Sequence, residues 1–408
     1  MNPKRNNYGL VEWNNINEIP EEIKQLINYE CDLSTLFNLS QTTKENLKIY
    51  QQIIFKKYEV NHINGLIFYD IKQMTKIKNI NNITDEEIKN LINLTELDLH
   101  NNKKISDEGI NNLTSLTKLK LCWHMNITNN GIKHLSNLTD LNLNDCNNIT
   151  DEGIKNLTNL TNLNIGYCHS ITNEGIKYLT NLTNLNLCVN KNITFEGIKN
   201  LTNLTNLKFG YCDTMSNEEI KYLTNLTYLD LGTNKNITFE GIKHLNKLTD
   251  LNLGYCNSIT NNEIKILTNI TQLNLGHNNN ITDEGINKLT NITQLNLGHN
   301  NNITDKGIKY LTNLKHLNLG YNSNITDKGI KYLTNLIFLN INWNIQITDE
   351  GIKQFNKLTD LCLGDSKKIT NKGIKYLTNL KHLNLGRNKN ITHEGTKYLN
   401  KNIMFLLV

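Results

Sequence analysis

Apolar positions along this chain repeat with a period too long for one helix or one strand. From Ile83 to Ile391 an Ile-Thr pair, or a close variant such as Met215-Ser216, returns every 22 residues, fifteen times and without insertion or deletion. In the stretch 153–172 the apolar positions are Ile154, Leu157, Leu160, Leu163, Ile165 and Ile171. Leu163 and Ile165 alternate with Asn162, Asn164 and Gly166, the period of two that predicts a short strand with its leucines inward. Gly166-Tyr167-Cys168 then predicts a turn. Thr172 and Asn173 carry side-chain oxygens able to cap a helical turn. Ile154 and Leu157, three apart, put one face of that turn against the strands. The outer segment has room for one or two helical turns, some of them 3-10. One such coil cannot bury its own apolar edge, so the pattern predicts neighbours stacked strand beside strand at about 4.8 Å around a continuous core.

Written as L-x-x-L-x-L-x-x-[NC]-x-x-I, these positions resemble the leucine-rich repeat over about residues 83–407. The resemblance implies an α/β fold, a right-handed leucine-rich-repeat solenoid (horseshoe) of about 15 coils with a 22-residue period. The position of Cys168 recurs as Asn102, His124, Cys146, Asn190, Cys212, Asn234, Cys256, Asn278, Asn300, Asn322, Asn344, Ser366 and Asn388. It is expected to turn inward, beside backbone groups that have lost their sheet partners. An unpaired buried group costs about 1–3 kcal/mol. Asn can donate and accept there, and Cys fits as a small buried thiol. The cysteines of this column are therefore read as structural rather than catalytic.

Before Ile83 the register decays. Residues 1–60 predict a small N-terminal helical bundle, 61–82 a linker and degenerate opening coil, and 83–408 the solenoid. Pro20 suits the first turn of a helix, with Glu21 and Glu22 near its positive end. Ile23, Leu26 and Ile27 follow as an apolar stripe, and Leu33, Leu36, Phe37 and Leu39 as a second. Ile19-Pro20-Glu21-Glu22-Ile23, with Ile27, Leu33, Leu36, Leu39, Ser40 and Lys44, resembles the F-box. The resemblance departs after Lys44, where Glu45-Asn46 follow and no tryptophan closes the motif. It implies a Skp-type linker held by Ile19, Pro20, Ile23, Ile27, Leu33, Leu36 and Leu39, and through it a cullin scaffold. The other reading of the same residues is a helical cap on the first coil. At the far end Phe405 and Leu407 fall in the strand register, so the chain stops within a strand whose edge has no obvious polar cap.

Composition excludes more than it selects. Hydrophobic residues make up 38% and there are two prolines, no alanine and 77 asparagines. No apolar run reaches the roughly 18–20 residues needed to span a bilayer, and the N-terminus lacks the apolar core of a secretory signal. A cytoplasmic or nuclear, non-secreted protein is expected, monomeric outside its complex, with no membrane or nucleic-acid partner. Basic and acidic side chains nearly cancel, 43 against 38. A column of lysines on the outer face (Lys89, Lys133, Lys155, Lys177, Lys199, Lys221, Lys243, Lys309, Lys331, Lys353 and Lys375) runs beside Glu108, Glu152, Glu174, Glu196, Glu240, Glu284 and Glu350. It reads as a self-neutralised solvated face rather than a basic stripe.

No phosphate-binding loop, zinc motif, nucleophile elbow or paired CxxC is present, so no enzyme and no cofactor is expected. His277 and His299 share a column but lack a third ligand, and Cys362 lacks a neighbouring base. What varies on the expected concave face is Lys118, Lys120, Lys208, Tyr228, Asp230 and Phe338. Just past the strands runs a column of Trp123, Tyr167, Tyr211, Tyr255, His277, His299, Tyr321 and Trp343. Exposed aromatics are typical binding anchors. Equally, they could pack over the turn of the next coil. Together the two resemblances imply a non-enzymatic adaptor that holds a protein on its concave face and recruits it to a cullin-type ubiquitin ligase. The alternative is an interaction scaffold without a ubiquitin role.

Overall fold

The computed structural model describes residues 76–77, 83–100, 102–123, 126–256, 259–399 and 404–406. The expected bundle over 1–60, its seven linker-binding residues and most of the 61–82 segment lie outside the described residues, as does His124. The chain divides into two compact units, Met1–Leu182 and Thr183–Val408.

In the first unit the strands Lys76–Ile77, Glu96–Asp98, Lys118–Lys120, Asp140–Asn142 and Asn162–Asn164 follow one another in a parallel sheet. Leu97 pairs with Leu119, Leu119 with Leu141, and Leu141 with Leu163. In the second unit the parallel strands run from Asn184–Asn186 to Met404–Leu406, each shifted by one repeat, so that Leu273, Leu295 and Leu317 lie side by side. Each coil returns through one four-residue helical turn, such as Asp151–Ile154 or Asp305–Ile308. Each unit has the stacked-coil architecture that the resemblance to the leucine-rich repeat implied.

Burial follows the repeat. Leu157, Leu160, Leu163, Ile165 and Ile171 are at most 2% exposed, and so are their counterparts in most coils. Burying each such side chain contributes about 1.5–3 kcal/mol. The inward column is also as expected: Asn300, Asn322 and Asn344 are fully buried. Asn322 Oδ1 accepts from the backbone N–H groups of Asn324 and Ile325, both at 3.0 Å, while its Nδ2 donates to the Asn300 carbonyl. Cys168 and Cys256 occupy the same slot and donate through Sγ to Leu143 and Leu231 carbonyls at 3.0 and 2.9 Å.

Asparagine fills three further rows. Asn296 Oδ1, at the strand end, accepts from Gly298 N at 2.9 Å. Asn313 Nδ2 reaches back one coil to the Thr290 carbonyl at 2.9 Å. Asn390 Nδ2 does the same to Lys367 O at 2.6 Å. These rows satisfy backbone groups that short strands and one-turn helices leave unpaired.

The helical turns are tied to one another by a carboxylate or amide at their first position. Asp305 accepts from both Thr326 N and Thr326 Oγ1 in the next coil, each at 2.7 Å. That side chain occupies the space where the next coil places Gly329: a Cβ there would lie 2.4 Å from Asp305 Oδ1. Two coils carry Phe195 and Phe239 in place of the Asp or Asn. No side chain there can cap the following coil, and in both following coils the glycine is replaced by glutamate. Glu219 accepts from Ser216 N at 2.6 Å, and Glu263 from Thr260 N at 2.5 Å. A capping box within the coil thus stands in for the cap from the neighbour.

Candidate functional site

The outward strand positions and the turn just after them make the surface of interest in the second unit. A trough of about 280 Å³ is lined by residues from Tyr228 at one end to Phe338 at the other. Between them stand Asp250, Gln272, Gln294 and His316 in one row and Asn252, Asn274, Asn296 and Asn318 in another. The Asn oxygens are spent on backbone N–H groups two residues on, at 2.9–3.0 Å. What this row offers a visitor is therefore amide N–H. Burial pushes the Tyr228 phenol up to about 12, with the nearby Asp230 carboxylate adding to the effect, so it stays a neutral donor.

Along one side of the trough runs a column of rings. Tyr255, His277, His299 and Tyr321 stack at centroid spacings of 4.0, 4.1 and 4.2 Å, and Tyr321 stacks on Trp343 at 5.6 Å. Tyr255 and Trp343 remain 52% and 44% exposed. The backbone explains the alignment. Every residue of the column sits in the left-handed region, φ 58–62° from Tyr255 to Trp343. From Tyr255 to Tyr321 the N–H donates to the next coil, as Tyr255 N to Gly276 O at 3.0 Å and His277 N to Gly298 O at 2.9 Å. A left-handed non-glycine residue costs on the order of 1–3 kcal/mol, and here inter-coil bonding and ring stacking offset it. Burial, and then the neighbouring His299, hold His277 below the usual histidine range.

The anticipated site residues separate into groups. In the first unit, Lys118 and Lys120 are exposed on one strand, 3.6 Å from Glu96 and 3.5 Å from Asp98 respectively. Trp123 lies 5.1 Å from His100, ring to ring, and is 57% exposed. Tyr167 is exposed at the equivalent turn. In the second unit, Lys208 lies over the Tyr228 ring at 6.0 Å, Asp230 accepts from Gly232 N, and Tyr211 is exposed at its turn. Tyr228 and Phe338 prove to be the two ends of the trough, and Tyr255 and Trp343 the two ends of the stack. Tyr255, Tyr321 and Trp343 are exposed and also stack on their neighbours in the column. Asp250, Gln272, Gln294 and His316 were not singled out from the sequence. The signal was present, because each stands at the outward strand position one or more repeats from Tyr228. His277 and His299 are members of the stack.

Among the described residues no three His, Cys, Asp or Glu side chains converge to hold a metal, and no helix is long and apolar enough to cross a membrane. The described cysteines are free thiols. Burial pushes Cys168 and Cys256 up to about 11 and Cys212 up to about 12. In the folded chain at pH 8 these three should resist alkylation by iodoacetamide and react fully in urea. Rapid native labelling of Cys212, read by peptide mapping, would contradict the burial described here.

The outer face departs from the expectation of self-neutralisation. Lys155, Lys177 and Lys199 pair with the glutamates three residues earlier at 2.5–2.6 Å, but Lys309, Lys331 and Lys375 do not, because lysine stands where that glutamate would be.

Comparison with known proteins gives the same architecture. A family model described as Leucine Rich repeat matches nine segments between residues 90 and 399, slightly more than half of the chain. No curated protein matches the sequence. Among solved structures, a Leptospira interrogans leucine-rich-repeat protein is 28% identical, with TM-score 0.50, covering 80% of this chain and 93% of its own. Rad7, solved in complex with Elc1 from yeast, is 18% identical, with TM-score 0.57, covering 93% and 98%. An internalin from Listeria monocytogenes is 27% identical, with TM-score 0.47, covering 79% and 88%. With a stacked parallel sheet, a buried asparagine column and a family model over more than half of its length, the chain belongs to the leucine-rich-repeat family.

Proposed function

We infer that the protein is a non-enzymatic adaptor that holds a protein partner on the trough between Tyr228 and Phe338 and along the adjoining ring column. The observation that carries this reading is the exposed aromatic stack beside a row of uncommitted amide donors. Aromatic edges anchor a partner while amides bond to a polypeptide backbone. The described coils hold no cluster of three metal-ligating side chains. Through the F-box-like pattern at Ile19–Leu39, the adaptor recruits that partner to a cullin-type ubiquitin ligase by way of a Skp-type linker. Two sites on one chain raise the effective concentration of substrate at the ligase.

Two measurements on the full chain separate the layers of this proposal. A Skp-type linker is captured by the wild type and lost with Ile23→Asp and Leu36→Asp. Capture unchanged by both substitutions, or none at all, leaves an interaction scaffold without a ubiquitin role. A substrate partner, once captured, should bind about tenfold or more weakly to Trp343→Ala and to Phe338→Ser at unchanged thermal midpoint. Unchanged affinity in both variants would place the binding face elsewhere.

A further inference from the structure

The net charge of the chain is +5, yet it is not spread evenly: residues 305–399 carry fifteen basic and seven acidic side chains, and the remainder is net acidic. The outer helical turns account for much of this. In coils reading Asp/Asn-Glu-Gly-Ile-Lys, the glutamate pairs with the lysine three residues on, as Glu152 with Lys155. Three coils of the second unit read Asp305-Lys306-Gly307-Ile308-Lys309, Asp327-Lys328-Gly329-Ile330-Lys331 and Asn371-Lys372-Gly373-Ile374-Lys375. Each places two lysines where the others place an ion pair. The aspartates of these coils are not available to them. Both oxygens of Asp305 are held by Thr326 and both oxygens of Asp327 by Thr348, while Asn371 carries no charge. Among the described residues, none of these six lysines forms an ion pair.

Beside them stand Tyr310, Tyr332 and Tyr376, 63%, 54% and 52% exposed. The ammonium groups of Lys309, Lys331 and Lys375 lie over these rings at 4.6, 4.6 and 4.8 Å. We propose that this outer Lys–Tyr face docks the protein on an anionic phospholipid surface. The chemistry favours a bilayer over a nucleic acid. All six cations are lysines, point charges without the bidentate fork that reads phosphates individually. One face of each ring is covered by its own lysine, which reduces the surface on which bases stack. Amphipathic tyrosines at headgroup level, with lysines reaching the negative surface, are what a membrane interface accepts. The proposal is independent of the trough and of the F-box-like segment.

The test is co-sedimentation of the full chain with vesicles of phosphatidylserine and phosphatidylcholine, against phosphatidylcholine alone. Binding is expected only to the anionic vesicles and should weaken as salt is raised. The variant Lys306→Glu/Lys328→Glu/Lys372→Glu restores the Glu–Lys spacing of the other coils, so it should fold with no loss of thermal midpoint. Its vesicle binding should fall by at least about tenfold. A variant of equal charge change elsewhere, Lys191→Glu/Lys235→Glu/Lys247→Glu, should retain binding. The proposal is overturned if the wild type fails to sediment with anionic vesicles at low salt. It is equally overturned if both variants lose binding alike, or if polyuridylic acid binds under conditions where the vesicles do not.

Discussion

Asn322→Ala should cost the second unit about 3–5 kcal/mol, read as a lower urea midpoint. The substitution strands three backbone groups at once: the N–H groups of Asn324 and Ile325 lose their acceptor, and the Asn300 carbonyl loses its donor. The Ile325 N–H and the Asn300 carbonyl belong to fully buried residues, where water does not replace the lost partner, whereas Asn324 is exposed. Asn322→Cys should fall between the two, because Cys256 shows that a thiol still donates to a carbonyl there but offers little as an acceptor for two N–H groups. A loss under about 1 kcal/mol for the alanine variant would mean that the column is not what satisfies the turn.

The second large effect is a rescue. Gly329→Glu alone should destabilise by about 2–3 kcal/mol, since its Cβ would meet Asp305 Oδ1 at 2.4 Å. Asp305→Phe alone should cost about 2 kcal/mol by removing the acceptor for Thr326 N and Oγ1. Combined, the two changes reproduce the Phe239–Glu263 arrangement, in which the glutamate caps its own coil. The double variant should recover most of the loss, giving a coupling of about 2 kcal/mol or more. Additive losses would show that Phe195 with Glu219 and Phe239 with Glu263 are unrelated substitutions.

The fold was legible because one period fixes nearly everything that packs. Leu163 and Ile165 announce a strand, Ile154 and Leu157 a helical face, and the Cys168 column an inward turn. All of these are local to a single unit of the sequence. What escaped notice depends on pairs about one coil apart. Asp305 and Thr326 are 21 residues apart in sequence and become partners only when coils stack, so the role of the recurring spacing from Asp to Gly could not be read from one unit alone. The sequence pointed to one buried asparagine column, whereas four rows use the amide to bond backbone groups.

The site was legible in outline. Tyr228, Phe338, Tyr255 and Trp343 stood out as departures from a monotonous surface, and they mark the ends of the trough and of the stack. The residues between them did not stand out, because Gln272, Gln294, Asn274 and Asn296 resemble their surroundings. His277 and His299 were weighed as a metal pair, but a left-handed backbone at both positions turns the rings face to face, a conformation that residue types alone do not disclose. The outer lysines misled for a different reason. The column was read as uniform, while its neutralisation depends on the residue three places earlier, which changes to lysine at Lys306, Lys328 and Lys372.

The central claim is that successive 22-residue units lie as adjacent parallel strands in register, with the third strand position facing the trough. Cysteine pairs introduced into the folded chain test it directly. Asn274 and Asn296 are register partners, so their Cα atoms should lie roughly 4.8 Å apart, within the range of about 4.4–6.8 Å that a disulfide spans. Asn274→Cys/Asn296→Cys should close to a disulfide on mild oxidation, identified by peptide mapping. Asn274→Cys/Asn318→Cys, two strands apart, should stay reduced. Ready closure of the second pair with failure of the first would contradict the stacking on which the trough, the ring column and the outer face all depend.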